Sequence, residues 1–292
     1  MLLLALILAY SSSGAFISLS QATLMDLNPG RETKMMARWT LSGSLANTLG
    51  PLLAGAGFAL ALGWRWNFIA LALFGLALTI CMLLRTFPKH VDRLPPPATL
   101  SDLLRNLQRT ARRPGMMRWM LLLQLSDLLL DVFVGYVALY FTDVVGASPA
   151  MASIALGALM VAGLAADALL IPLLERFPGR TIVRASAAAA ALLYAAVLLI
   201  PWTVAKYALL VAVGVARLGW YSVLKGEAYA TDPGHSGAVS ALTSLAGLFG
   251  GALAWLVGWT AGSVGLPIAL SFLLAGPLAL IFIVPKNVER VE

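Results

Sequence analysis

Asp127 and Asp131 sit four residues apart in an otherwise apolar run between Met116 and Phe141. In a helix that spacing sets both on one face, and Gln124, Gly135 and Thr142 extend the stripe. An aspartate facing lipid at the centre of a span costs about 2.5–3.5 kcal/mol on insertion scales, so the pair would cost about 5–7 kcal/mol. A water-filled cavity or a cationic partner removes most of that. Two carboxylates this close also favour sharing one proton. The chemistry on offer is proton or cation binding along a path through a bilayer. The structural alternative is pairing with backbone or serine groups inside a helix bundle.

Arg217 is the one basic residue deep in an apolar run. It follows Lys206 by eleven residues, about 17 Å along a helix axis. Asp127 lies about as far from the start of its own run, so the two share a depth. Arg217 is therefore expected to pair with Asp127 or Asp131, to bind an anionic substrate group, or to form a static ion pair. Trp220 and Tyr221 follow on the same run and offer rings for stacking on a substrate or for ordinary packing. Near the N-terminus Ser11, Gly14, Ser18 and Gln21 share one helical face, as a cavity lining or a small-residue packing seam. Ser244, Gly247, Gly251 and Ala254 form a second small-residue ridge, read as a site of close helix packing.

The elements that must hold these residues follow from composition. Of 292 residues 60% are apolar and 11% charged, with a mean hydropathy of +0.88. Soluble domains run at roughly 45–50% and about 25%. A soluble globule, a disordered chain and a secreted disulfide scaffold are excluded. Cys81 is the single cysteine, so no internal disulfide and no cysteine-based zinc site can form. A net charge of +7 would suggest nucleic acid in a soluble protein, but here it reflects loops rich in Lys and Arg, and no nucleic-acid partner is expected.

Apolar runs broken by charge, Gly and Pro give nine spans, near 1–25, 41–62, 66–85, 116–141, 150–174, 182–201, 205–225, 237–259 and 265–285. The fold class is all-α, a polytopic membrane bundle. Only the connection 86–115 is long. After Pro95-Pro96-Pro97 it carries Leu100, Leu103, Leu104 and Leu107 at helical spacing among Arg105, Arg109, Arg112 and Arg113. It reads as an amphipathic helix at the membrane surface, or as a plain basic linker. Alternate connections hold 17 and 2 of the Lys and Arg residues, with Arg217 completing the 20. That asymmetry places the C-terminus in the cytoplasm and the N-terminus of this chain outside. Residues 66–85, 182–201 and 265–285 carry no deep charge, and Trp64, Trp66, Trp202 and Trp259 fall at outer boundaries, as an aromatic belt would.

An internal repeat is also present. Ser44-Leu45-Ala46 and Gly50 recur as Ser244-Leu245-Ala246 and Gly250, and Asn28-Pro29-Gly30 corresponds to Asp232-Pro233-Gly234. The first three spans thus match the last three, and 116–201 has no counterpart.

Here a family resemblance becomes specific. Asp26-x-x-Pro29-x-Arg31, then Gly50-Pro51-x-x-Ala54-Gly55 closing on Trp64-Arg65-Trp66, then the long basic connection, resemble in order the major facilitator superfamily of transporters. Pro172-Leu173-Leu174-Glu175-Arg176-Phe177-Pro178-Gly179-Arg180 is similar to that family's loop signature. The resemblance implies the C-terminal three quarters of a twelve-span protein, without its first three helices. It implies a three-helix unit at 1–85, a cytoplasmic linker at 86–115, a six-helix unit at 116–285 and a tail at 286–292. It further implies a secondary transporter of a small molecule or ion, moved by alternating access; the carboxylate pair Asp127 and Asp131 adds the expectation of proton coupling. Gln21, Gln124, Asp127, Asp131, Arg217, Trp220 and Tyr221 would line the path. Asp167, Glu175, Arg176 and Arg180 would form a gating salt-bridge network. No cofactor or metal is expected. The setting would be the plasma (inner) membrane, with the bilayer as partner and a monomer as the working unit. A non-transporting membrane receptor or assembly protein on the same scaffold is the alternative. An intramembrane enzyme finds no support: His90 and His235 are the only histidines, both in loops, and there is no His-Glu-x-x-His or Walker motif.

Overall fold

The computed structural model describes residues 2–60, 63–84 and 99–286. Arg85, Lys89, His90, Arg93, the Pro95–Pro97 run and Arg290 lie outside the described residues, as do the side chains of Ser11, Pro51, Ala54, Trp64 and Leu100. The described residues are helix and connecting turn, with no strand among them.

The chain order is α1 (Leu2–Asp26), α2 (Glu32–Ala59), α3 (Gly63–Leu83), α4 (Leu100–Ala111) and α5 (Met116–Asp127). A π-turn (Leu128–Val132), α6 (Phe133–Leu139) and a second π-turn (Tyr140–Val144) continue α5 as one rod. Then come α7 (Pro149–Arg176), α8 (Gly179–Leu199), α9 (Thr203–Ala216), α10 (Trp220–Thr231) and α11 (Ser236–Val264). The last rod is α12 (Leu266–Ser271), a 3₁₀ turn (Phe272–Leu274) and α13 (Ala275–Ile283). Among the described residues seven rods are long and apolar enough to cross a membrane. With α1 and α2, of 25 and 28 residues, the described part reaches the nine expected.

Two boundaries differ from expectation, for one reason. α2 starts at Glu32 rather than near 41, and the rod from Thr203 runs to Thr231 rather than stopping near 225. Hydropathy ends a span where charge begins. These charged turns pack on one another instead of meeting lipid: Met36, Ala37, Lys225 and Tyr229 are all buried, and α2 lies along α10.

The fully buried apolar side chains come almost wholly from residue 116 onward; earlier in the chain only Ala22, Met25, Met36 and Ala37 join them among the described residues. α2 bridges to the later rods through α7 and α10, α1 reaches α11, and α3 runs beside α2 with its span fully unburied. The repeat is visible in this packing. α2 packs on α10, and its counterpart α11 packs on α1, as a two-fold relation requires. The turn at Asn28–Arg31 is also repeated bond for bond. Arg31 N–H donates to Asn28 O and Asn28 N–H to Met25 O; His235 donates to Asp232 O and Asp232 to Tyr229 O. Gly30 and Gly234 then take φ of 77° and 78°.

α4 is the amphipathic helix expected in the linker. Thr99 caps it: its hydroxyl accepts from Asp102 N–H while the Asp102 carboxylate accepts from Thr99 N–H and hydroxyl, a reciprocal capping box. Those bonds hold the Asp102 carboxyl below the usual carboxylate range. Leu103 and Leu104 face outward, while Leu107 and Ala111 rest on the core. Thr110 and Arg113 anchor its far end by donating to Asp232, at 2.7 and 3.2 Å. Trp66, Trp202 and Trp259 are exposed, as a belt demands.

The small-residue ridge on α11 is corrected. A Cβ at Gly247 or Gly251 would meet nothing within 4 Å, so that face is open. Close packing instead uses Gly250, against Gln124, and Gly258, against the Tyr136 hydroxyl.

Candidate transport cavity

Two breaks in helical regularity face each other across the bundle. In the first rod the π-turn at Leu128–Val132 replaces ordinary helix between Asp127 and Phe133. Such turns leave carbonyls poorly engaged and recur at functional sites. In the other rod α9 stops at Ala216 and α10 starts at Trp220. The break is sealed by Gly219 at φ 74°, a conformation that favours glycine. Leu170 also presses close enough there to leave no room for a Cβ.

Arg217 joins the two breaks. Its Nη1 donates to the carbonyls of Leu129 and Leu130 at 2.7 and 3.2 Å. The expected ion pair with Asp127 or Asp131 is therefore corrected: the guanidinium caps backbone carbonyls freed by the π-turn, and no ion pair to it lies within 4.0 Å among the described residues. Asp131 and Asp167 are near enough to act on it only through their fields.

Between these breaks, α1, α2 and α7 enclose a cavity of about 610 Å³. Asp127 and Asp131 both line it, so the expected shared face is realised across the π-turn. Among the described residues neither carboxylate accepts a hydrogen bond. Asp127 lies in the fields of Asp131 and Lys225, and Asp131 in that of Arg217. Gln21 lines the cavity from α1, its amide donating to the Tyr221 hydroxyl at 3.4 Å and accepting from Tyr229 at 3.5 Å. Tyr221 lines it as well.

The remaining expected residues are placed as follows. Gln124 does not reach the cavity; it is buried against Gly250 of α11. Trp220 borders the cavity, but its indole is fully buried and donates to the Ser186 hydroxyl at 2.9 Å, so packing holds it. Ser18, Gly14, Gly135 and Thr142 are not part of the lining, and Thr142 instead bonds Asp143. Asp167 is not a loop residue. It sits within α7, lines the cavity and accepts from the Ser44 hydroxyl of α2 at 2.5 Å. The four residues expected to form a gating network are not paired with one another among the described residues. Arg180 pairs with Glu227 of α10 at 2.6 Å and lies over the Trp119 ring at 5.3 Å. Glu175 and Arg176 are exposed and make no ion pair among the described residues.

Residues 1–254 match the family model of the Major Facilitator Superfamily. The chain belongs to that superfamily. It is a multi-pass membrane transporter of this class, one whose members bind small molecules within the bilayer, and not an enzyme. Two solved structures share its fold. One is a variant of the E. coli fucose:proton symporter FucP, with a TM-score of 0.72 and 15% identity over 91% of this chain and 71% of that one. The other is FucP in the outward conformation, with a TM-score of 0.70 and 17% identity over 91% and 70%. No curated protein sequence matches the chain.

The sequence reading missed part of the lining. Thr40, Gly43, Ser44, Asn47 and Thr48 present one polar stripe of α2 to the cavity, with Trp39 beside them. Their spacing of three and four residues in an apolar span was the available signal. Lys225, counted with the connections at the edge of its span, is 3% exposed inside α10 with its ammonium over the Tyr229 ring at 5.2 Å. Lys206, counted in the same way, is buried and donates to the Tyr140 hydroxyl and to Val197 O at 2.5 and 2.6 Å.

Proposed function

We propose that this superfamily member carries a small solute by alternating access and couples it to protons through Asp127 and Asp131. The observation behind this reading is the pair itself: two unpartnered carboxylates facing one cavity at the place where both adjoining rods lose helical regularity. Irregular backbone at membrane depth is tolerated where it lines a water-filled site. A pair of this kind holds a proton when the cavity is empty and yields it as charge or solvation changes. The name of the FucP structures, a fucose:proton symporter, is in keeping with such coupling.

Residues 1–85 and 116–285 would be the two units that rock, with 86–115 as their link. The end of the bundle that carries the Lys and Arg residues is taken as cytoplasmic. Burial of Lys206 and Lys225 removes one cation from each side's count, and with Arg217 set apart sixteen of the other seventeen fall at that end. The C-terminus is then inside and the N-terminus of this chain outside, in the plasma membrane. At that basic end α2 and α10 are in tight contact around Thr33 and Gly226. Toward the far end Leu49, Leu52 and Leu53 of α2 are exposed. In this reading the contact of α2 with α10 closes the basic end. All the described lining comes from one chain, in keeping with a monomer as the working unit.

The test is proton-driven solute flux in proteoliposomes holding the full chain. Asp127→Asn with Asp131→Asn should abolish the pH dependence of flux and of solute-dependent proton movement. Transport by the double variant with an unchanged pH profile would remove the coupling role.

A further inference from the structure

We propose that the cavity selects organic cations, solutes carrying a protonated amine or a quaternary nitrogen. This rests on the transport reading above and names its substrate class. Three carboxylates line the cavity, those of Asp127, Asp131 and Asp167, against one basic side chain, Arg217. An arginine recognises an anion by presenting its planar fork. Arg217 has turned that fork to protein: Nη1 is engaged by Leu129 and Leu130, and Nε is buried without a partner. With those two nitrogens withdrawn it compensates charge near Asp131 and cannot present the full fork to an anion. Lys225 is not part of the lining, and its ammonium lies over Tyr229. One oxygen of Asp167 is tied to Ser44, whereas the Asp127 and Asp131 carboxylates line the wall with no hydrogen-bond donor on them among the described residues.

With one proton held by that pair, the groups that line the cavity keep net negative charge, which the field of Lys225 at Asp127 offsets only from behind the wall. An anion entering it meets three carboxylates against one arginine, and a neutral polyol brings no charge to the carboxylate pair. A cation satisfies both conditions. Trp39 and Tyr221 add ring faces for cation–π contact, and Gln21 and Asn47 add amides for polar substituents. The geometry also separates an organic cation from a metal ion. No group of three or more His, Cys, Asp or Glu side chains among the described residues is close enough to hold a metal, and about 610 Å³ is far more room than a bare ion fills.

The experiment uses two ions of nearly equal size and opposite charge, tetraphenylphosphonium and tetraphenylborate. Binding to the purified full chain is followed by tryptophan fluorescence, against protein-free micelles. Saturable phosphonium binding at least tenfold tighter than borate binding is expected. Asp127→Asn with Asp131→Asn should weaken it at least tenfold, and Glu175→Gln, outside the cavity, should leave it within twofold. Equal or tighter borate binding, no saturable phosphonium binding, or phosphonium binding that survives the double variant would overturn the proposal. If the double variant aggregates, the contrast between the two ions on the unaltered chain decides. Flux separates this claim from the one beneath it. Protein-dependent uptake of a neutral sugar without phosphonium binding would end the cation selectivity and leave transport standing. Saturable phosphonium binding without any flux would uphold the cation site and end the transport reading.

Discussion

Gly226 is where closure of the basic end is most exposed to a single methyl group. A Cβ there would stand 2.5 Å from the Cα of Thr33 and 2.8 Å from its backbone nitrogen and hydroxyl oxygen. Two of those three atoms are main chain at the start of α2 and cannot rotate away. Gly226→Ala must therefore push α10 and α2 apart. Overpacking of this kind costs about 1–3 kcal/mol. The strain exists only in the closed state, so it shifts the ratio of closed to open at this end about 5- to 150-fold toward open.

Ser222 reports that shift. It lines the cavity, is 1% exposed and bonds the Thr40 hydroxyl across the same contact at 2.9 Å. In a Cys81→Ser background, Ser222→Cys should react with an impermeant maleimide added from the basic side at least fivefold faster when Gly226→Ala is present. Gly237→Ala is the control, because a Cβ there would meet nothing within 4 Å. An unchanged labelling rate for Gly226→Ala in a protein of unchanged thermal stability would refute the argument that the Thr33–Gly226 contact closes this end.

Other substitutions test the supporting geometry. Arg217→Gln leaves the Leu129 and Leu130 carbonyls short of their donor; it should lower stability by about 1–3 kcal/mol, with Arg217→Lys intermediate, in thermal unfolding. Trp220→Phe removes the bond to Ser186 and should cost about 0.5–1.5 kcal/mol of stability while leaving phosphonium affinity within twofold. Thr110→Val and Arg113→Ala each strip a donor from the buried Asp232 carboxylate. Trypsin should then cut at Arg105 and Arg109 of α4 several times faster than in the unaltered chain.

What the sequence revealed, and what it hid, divides along one physical line. Hydropathy reports which segments prefer lipid, so the rods, the amphipathic α4 and the repeat were legible. The turn at Asn28–Arg31 was legible too, because Pro and Gly restrict backbone locally and the same bonds recur at Asp232–His235. Hydropathy treats every charge as a sign of water, and there it failed. Lys206 and Lys225 were counted with the connections because nothing local shows that Tyr140, Val197 and Tyr229 will surround them. Asp167 was drawn to the loop signature nearby, although its partner, Ser44, is 123 residues away. The π-turn left no trace in Leu128-Leu129-Leu130, three residues that suit ordinary helix equally well. Two of their freed carbonyls depend for a donor on Arg217, which comes from another rod.

That last dependence has a consequence for how the cavity works. Arg217 is the hinge-side residue of a broken helix, and its donors grip a rod whose own regularity is lost at the point of grip. Motion at either break must therefore be felt at the other. Asp131 lies inside the gripped π-turn, and Asp127 is the residue just before it. A change in the angle between α9 and α10 would reposition both carboxylates without any direct contact to them. α10 is also the helix that carries Gly226 and Ser222 against α2. Closure of the basic end and the placement of the carboxylate pair thus share one mechanical element, the segment from Arg217 to Gly226. Coupling between proton occupancy and access requires such an element. If Gly226→Ala opened the basic end while phosphonium affinity and its pH dependence stayed fixed, the two would be uncoupled and this role of the segment would fall.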